Sequence, residues 1–336
     1  MPIRSGFVSI VGRPNAGKSM LVNALLGQKL AIVTHKPQTT RNRIQAVLEV
    51  PLKKKTTRQP GHPAAQIILV DTPGIHKPST ELDRRMMQEV HDALESRDAV
   101  IFMVDVTHRL PQEGETVTGK AKLSLDEHNF TLGLVKKLDC PVILALNKID
   151  ELQRDQLLPQ IAYWQKQHDF AAVIPISAKK KDGLERLIEA IIAVLPLGER
   201  YFPKNQITDQ PERFLVAELI REKVLLYTGE EVPYAAAVVV ERFEEPVKKG
   251  AATRIAAAIY CERAGQKAIL IGKGGAMLKQ IGTAARKEME YLLGGKVFLE
   301  LFVKVQSEWR SSRGFIDDLD WRKQLEDLAI KQSNEE

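Results

Sequence analysis

Gly12-Arg13-Pro14-Asn15-Ala16-Gly17-Lys18-Ser19 decides the fold of this chain, because a Gly-x4-Gly-Lys-Ser loop belongs between a strand and a helix. The flanks supply both elements. Residues 7–11 are an apolar run of strand length, and Met20, Leu21, Ala24 and Leu25 recur at helical spacing. At the start of a helix the backbone amides of such a turn point into one cup, which attracts a phosphate. Lys18 adds a full positive charge, and Ser19 offers a hydroxyl to Mg²⁺. This loop predicts a nucleotide phosphate site but does not specify the base.

Outward from the loop, as far as about Leu195, apolar runs alternate with amphipathic stretches. Candidate strands are 7–11, 43–50, 66–70, 99–104, 142–146 and 173–176, and helical patterns lie near 81–95, 126–138, 156–167 and 184–195. That alternation predicts an α/β, doubly wound sheet with its ligands at the carboxyl ends of the strands. The other motifs fall at those ends. Asp71-Thr72-Pro73-Gly74 follows the third strand: the acid can hold the water shell of Mg²⁺, and Gly74 lets the backbone approach a γ-phosphate. In the polar loop 31–43, Thr40 is the expected ligand that closes over the γ-phosphate, with Thr39 next; an ordinary surface loop is the alternative.

Asn147-Lys148-Ile149-Asp150, after the fifth strand, supplies base specificity. The Asp150 carboxylate can accept two hydrogen bonds from guanine, whereas adenine would leave it unpaired. Asn147 is expected to reach N7, the Lys148 stem to lie along the base, and the Ala178 amide of Ser177-Ala178-Lys179 to face O6. With the motifs in this order, GTP is the expected ligand rather than ATP. Ile75 stands where many GTPases carry a water-orienting glutamine. Hydrolysis must therefore rest on other groups, with Lys18, Thr40 and Gly74 the catalytic candidates.

The 336 residues, 44% hydrophobic and 27% charged, suit two folded domains and not a disordered chain. No apolar run approaches a membrane span, and because Met1 to Gly6 lead straight into the first apolar run, no signal peptide is expected. The two cysteines, Cys140 and Cys261, have no metal-ligand spacing, so a reducing cytoplasm is expected. Net charge is +6, which suits a polyanionic partner. Residues 246–313 hold 13 basic against 5 acidic residues and are flanked by segments of net −4, which marks a directed binding face.

Pro- and polar-rich residues 197–211 read as a linker, which gives domains 1–196 and 212–310 and an extension 311–336. In the second domain helices are expected at 213–227, 266–271 and 277–293, and strands at 235–243, 252–261 and 296–305. Gly272-Lys273-Gly274-Gly275 falls between the last two helices. The order α-β-β-α-α-β with Gly-x-x-Gly in that place is an α+β, type II KH pattern, whose turn admits a single-stranded backbone because no Cβ intervenes. Lys273 is the candidate for a phosphate and Lys279 a further RNA-binding candidate; Ile269, Ile271 and Met277 either face bases or, the favoured role, fill the core. Two stretches, 51–65 and 107–125, interrupt the first domain and read as extended loops or hairpin tips. Lys53-Lys54-Lys55 in the former either touches RNA or is simply solvated.

The P-loop, the Pro37-Gln38-Thr39-Thr40-Arg41 loop, Asp71-Thr72-Pro73-Gly74-Ile75-His76-Lys77-Pro78, Asn147-Lys148-Ile149-Asp150 and the type II KH pattern together resemble the Era family of bacterial GTPases, from about Ser5 to Arg310. The resemblance implies a GTP- and Mg²⁺-dependent assembly factor of the small ribosomal subunit that binds the 3′ end of 16S ribosomal RNA. Some members are also held peripherally at the inner membrane, which the composition does not show. Related GTPases carry a K⁺ ligand at the place of Asn15, so this residue is either such a ligand or a plain loop asparagine. Met20 departs from the usual Thr, and residues 315–329 match nothing in the family pattern. Two rival readings are a non-catalytic RNA scaffold that keeps GTP or GDP as a structural ligand, and a GTPase working at a membrane surface.

Overall fold

The computed structural model describes residues 3–55, 61–108, 119–246, 248 and 250–323. Two compact units divide the chain, one of Met1–Lys77 with Met86–Asp209 and the other of Pro78–Arg85 with Gln210–Glu336.

The first unit holds strands β1 (Ile3–Gly12), β2 (Ile44–Val50), β3 (Ala65–Asp71), β4 (Ala99–Asp105), β5 (Val142–Asn147), β6 (Ala172–Ile176) and the two-residue β7 (Leu197–Gly198). Its helices are α1 (Lys18–Leu26), α2 (Glu81–Glu95, whose first turn, to Arg85, falls in the other unit), α3 (Gly119–Val135), α4 (Arg154–Gln165) and α5 (Leu184–Val194). The sheet runs β2-β3-β1-β4-β5-β6. Every pair on this path is parallel except β2 with β3, and β7 lies antiparallel to the start of β1. Strands β3, β4 and β5 are buried along their whole length, as strands covered on both faces must be. Hence their unbroken apolar runs. The register sets Ile10 opposite Asp71, Gly12 opposite Met103, and Asp105 opposite Asn147, so the motif-bearing strand ends share one edge of the sheet.

The expected loop 107–125 needs correction where it is described, because helix α3 already begins at Gly119. Residues 109–118 of that loop, and 56–60 of the earlier one, lie outside the described residues. What is described of the loop 51–65 is a hairpin extension, closed by mutual backbone hydrogen bonds of 3.0 Å between Lys53 and His62. Lys53 is paired with Glu185 at 2.5 Å on α5, whereas Lys54 and Lys55 are exposed. The expected linker is bonded to the sheet of the first unit: β7 pairs with β1, and the Val47 N–H donates to Ile207 O at 2.8 Å.

The second unit contains α6 (Glu212–Tyr227), α7 (Val232–Ala235), β8 (Ala237–Glu244), β9 (Thr253–Cys261), α8 (Ala264–Ile271), a 3₁₀ turn Lys273–Gly275, α9 (Ala276–Leu293), β10 (Val297–Val305), a second 3₁₀ turn Trp309–Ser311 and α10 (Arg313–Asp318). Its sheet runs β10-β9-β8, with β9 parallel to β10 and antiparallel to β8. Ile255, Ala257 and Ile259 of β9 join Val216 and Ile220 of α6 and Ile281 and Met289 of α9 in one core. The strand expected from residue 235 starts at Ala237 because Pro233, whose fixed φ fits a first helical turn, opens α7 just before it. Trp309 is fully buried and donates from Nε1 to Ala235 O at 2.8 Å, while the Phe315 ring stands 5.0 Å from that of Tyr260. The described start of the expected extension is thus packed onto the KH-type sheet, and residues 324–336 lie outside the described residues.

Candidate functional site

The loop after β1 is held open from within. Gly17 has φ +97°, and a Cβ there would come within 2.5 Å of Asn147 Nδ2, so both conformation and space demand glycine. Lys18 is buried, and its Nζ donates to Gly12 O and Arg13 O at 3.0 Å each. Burial pulls its ammonium down to about 8, against the opposing charge of Asp71. An anionic phosphate in the cup favours the charged form and restores the full cation. Arg13 pairs with Glu127 at 2.8 Å, and Pro14 packs against Gly74, where an added Cβ would lie 2.7 Å from the Pro14 Cα. Asn15 has φ +61° and is exposed. Met20 is half-buried on α1.

Three residues expected to serve Mg²⁺ converge from three segments. Ser19 Oγ donates to Asp71 Oδ2 at 2.6 Å and lies 2.8 Å from Thr40 Oγ1, which itself reaches Asp71 Oδ2 at 3.3 Å. Thr39 instead lies 2.7 Å from Thr34 Oγ1 and donates to Lys36 O at 2.7 Å, inside its own loop. The geometry thus favours Thr40. Burial pushes Asp71 up to about 6 despite hydrogen bonds from Ser19 and Thr40, and its Oδ1 is buried with no hydrogen-bond partner. A buried, all-oxygen cluster with one unsatisfied carboxylate atom fits a hard divalent cation. Thr72 turns inward and donates from Oγ1 to Ile10 O at 2.7 Å, bracing β1 against the end of β3. Pro73 is buried beside it.

Ile75 is fully buried in the core with Val11, Met87 and Val90, and its N–H donates to Gly12 O at 3.1 Å. Its side chain is withdrawn from the phosphate side, so it orients no water.

At the base end, Asn147 acts as a brace. Its Nδ2 donates to Ala16 O at 2.8 Å and its Oδ1 accepts from the Ala178 N–H at 3.0 Å, joining the phosphate loop to the loop after β6. The Ala178 amide, expected to face guanine O6, is thus engaged by Asn147 here, and O6 would have to share or displace that bond. Asp150 is exposed and accepts from Ser177 Oγ at 2.6 Å through Oδ1. One carboxylate has about four lone-pair sites, so this bond fixes its plane and leaves acceptors for a ligand. Ile149 is half-buried against the core, and Lys179 is exposed. Lys148 has φ +70° and reaches Asp105 Oδ2 at 2.5 Å.

In the second unit the Gly-x-x-Gly turn divides its glycines by role. At Gly272, φ +71°, a Cβ would meet the Met277 backbone N at 2.8 Å, so packing excludes any other residue. At Gly274 and Gly275, with φ of +59° and +80°, a Cβ would meet nothing within 4 Å. The chain is open there to an approaching backbone. Lys273 and Lys279 are exposed, Ile271 and Met277 pack partly into the core, and Ile269 is 48% exposed.

The sequence reading missed Asn23, Asp105 and Gln66. Asn23 receives the N–H groups of Leu30 and Ala31 at 2.8 and 2.9 Å and donates to Ala31 O at 2.7 Å, fixing the start of the loop that carries Thr40. Its signal was a polar residue one turn beyond Ser19. For Asp105 the signal was an acid closing a strand beside that of Asn147. Gln66 is a fully buried amide on β3.

Among family models, residues 7–148 match the 50S ribosome-binding GTPase model and residues 231–310 the KH domain model. GTPase Era of Geobacter metallireducens is 42% identical over 95% of this chain and 98% of its own length. For GTPase Era of Staphylococcus epidermidis the values are 44%, 93% and 95%. A crystal structure of an Aquifex aeolicus Era variant bound to GDP and AlF4⁻ superposes with a TM-score of 0.82 at 37% identity, covering 94% of this chain and 98% of that one. A structure of Era with MgGDPNP and nucleotides 1506–1542 of 16S ribosomal RNA gives 0.79 at 37% identity, covering 94% and 97%.

Proposed function

The chain belongs to the Era family of GTPases, which hydrolyse GTP to GDP and phosphate, and on that premise we propose that its nucleotide state controls binding of the 3′ end of 16S ribosomal RNA by the KH unit during assembly of the small ribosomal subunit. The observation that carries this reading is the convergence of Thr40 with Ser19 and Asp71. Only a loop tied to the phosphate site can report the loss of a phosphate.

The GTP phosphates sit in the amide cup with Lys18, and Asp150 selects guanine. Ser19 and Thr40 would hold Mg²⁺ directly and Asp71 through water; when bound, the ion supplies positive charge against the phosphate oxygens. Since Ile75 orients no water, the chain's own contribution to the rate is charge stabilisation by Lys18 and the loop amides, with Asn15 the candidate ligand for K⁺. Loss of the γ-phosphate frees Thr40 and the loop anchored at Asn23. On the RNA side, the open backbone at Gly274 and Gly275, the exposed Lys273 and Lys279, and the net +8 of residues 246–313 suit a single-stranded polyanion.

GTP turnover, measured in K⁺ and in Na⁺ with and without an RNA of the 16S 3′ end, tests this reading. Faster turnover in K⁺ and a response to RNA are expected. Equal rates in the two salts remove the role of Asn15. RNA binding that ignores the nucleotide leaves the scaffold reading.

A further inference from the structure

Asp105 closes β4 directly opposite Asn147 and is 8% exposed, and its hydrogen bonds go to Thr107 and Lys148. Each of its oxygens has a separate task. Oδ1 accepts from the Thr107 N–H at 3.0 Å and from Thr107 Oγ1 at 2.7 Å, which locks the carboxylate plane. Oδ2 accepts from Lys148 Nζ at 2.5 Å, with the half-exposed His108 Nε2 at 3.7 Å on the same atom.

Lys148 lies between the buried brace Asn147 and the exposed Asp150, and its φ of +70° puts it in the left-handed region. A lysine stem has four rotatable bonds and would otherwise sample many conformers beside the base pocket. Here its far end is pinned and its charge neutralised, so the apolar stem is the part left to meet a base. We propose that Asp105 is a positioning residue for guanine-nucleotide binding, which holds the Lys148 stem in place before the nucleotide arrives. The inference rests on the reading of Asn147–Asp150 as the base site. It predicts an affinity contribution that is shared by GTP and GDP and independent of the switch loop, because β4 and β5 are internal strands that do not pair with β2, the strand following that loop.

The test is a double-mutant cycle read by fluorescent GDP titration of the full chain. Asp105→Asn keeps an oxygen for Thr107 but turns an amide N–H toward the ammonium. About tenfold weaker GDP binding is expected from losing one charge-assisted hydrogen bond. Lys148→Ala should weaken binding similarly, and the double variant should bind no worse than Lys148→Ala alone. GDP affinity of Asp105→Asn within twofold of the native chain, or losses that multiply in the double variant, overturns the proposal. A purely structural Asp105 would lower the melting temperature without that non-additivity. Should Asp105→Asn fail to fold, Lys148→Met decides, since it keeps an apolar stem without the anchor: binding as weak as Lys148→Ala supports positioning, and native affinity overturns it. Asp150→Asn serves as the control. It should shift preference toward xanthine nucleotides, and only its failure to do so removes the base-site reading itself.

Discussion

Ile75 illustrates how the position of one side chain decides which chemistry its neighbours must carry. The residue after Gly74 could in principle face the phosphates, but here the side chain is fully buried among Val11, Met87 and Val90. A polar replacement therefore cannot simply restore a water-positioning group. Ile75→Gln buries an amide without partners and removes apolar contacts, which should cost about 2–4 kcal/mol of stability. Urea denaturation measures that loss, and turnover at saturating GTP should not rise. A faster variant of native stability would mean that the side chain leaves the core and reaches the nucleotide. Gly74 shows the complementary constraint, because Pro14 already occupies the space that any Cβ would need.

At the scale of elements, helix α3 carries a buried titratable group, His128, whose Nε2 has no hydrogen-bond partner. It packs edge-on to Trp164 at 5.4 Å and near His108 at 6.2 Å, with Arg13 and Asp105 also within its field. Burial, reinforced by Arg13 and His108, lowers its pKa from 6.5 to about 3. The sign follows from the unfolded chain, which takes up a proton near 6.5 while the folded one does not. Stability from this group is intact above pH 6.5 and falls as the pH drops toward 3, by up to about 1.4 kcal/mol per pH unit. His128→Phe should flatten the pH dependence of unfolding in that window; an unchanged slope would show that His128 is solvated in the folded state. The partnerless nitrogen of His128 could not be read from sequence, since it depends on the packing of Trp164, a residue distant in the chain. The central strands were legible because burial on both faces forces unbroken apolar runs such as Val100 to Val104 and Val142 to Leu146. The phosphate loop and Asp150 were legible because their chemistry restricts the residue types. Asn147 was legible as a site residue but not as a brace, because its partners Ala16 and Ala178 are backbone groups distant in sequence. Pro233 was the overlooked cue, since proline fits a first helical turn better than the start of a strand.

For the whole molecule the proposed switch needs a route from the phosphate loop to the end of the first unit, and the last residues of that unit, up to Asp209, are bonded to its sheet. Strand β2 begins four residues after Thr40, and the connecting residues are bonded to it: Val47 N–H donates to Ile207 O at 2.8 Å, and Thr208 Oγ1 to Gln45 O at 2.6 Å. Gln66 on the neighbouring β3 fastens the same segment. Its Oε1 accepts from the Tyr201 and Phe202 N–H groups at 2.8 and 3.0 Å, and its Nε2 donates to Phe202 O at 2.8 Å and to Glu49 Oε1 at 2.6 Å. Arg200 reinforces the attachment by pairing with Glu49 at 3.0 Å. On the proposed switch, a displacement of β2 after release of Thr40 would reach residues 200–208 through these hydrogen bonds. Gln66→Ala leaves two backbone donors without their acceptor and should cost about 1–3 kcal/mol of stability. The sharper expectation concerns coupling between the nucleotide and RNA sites, which is typically worth about 1–3 kcal/mol, or roughly 5- to 150-fold in affinity. Fluorescence anisotropy with an RNA of the 16S 3′ end, in GDPNP and in GDP, should show the native ratio of affinities collapsing toward one in Gln66→Ala, with nucleotide binding retained. A native ratio in that variant would exclude the fastened segment as the route, because Gln66 holds it at three of its backbone groups and touches neither ligand site.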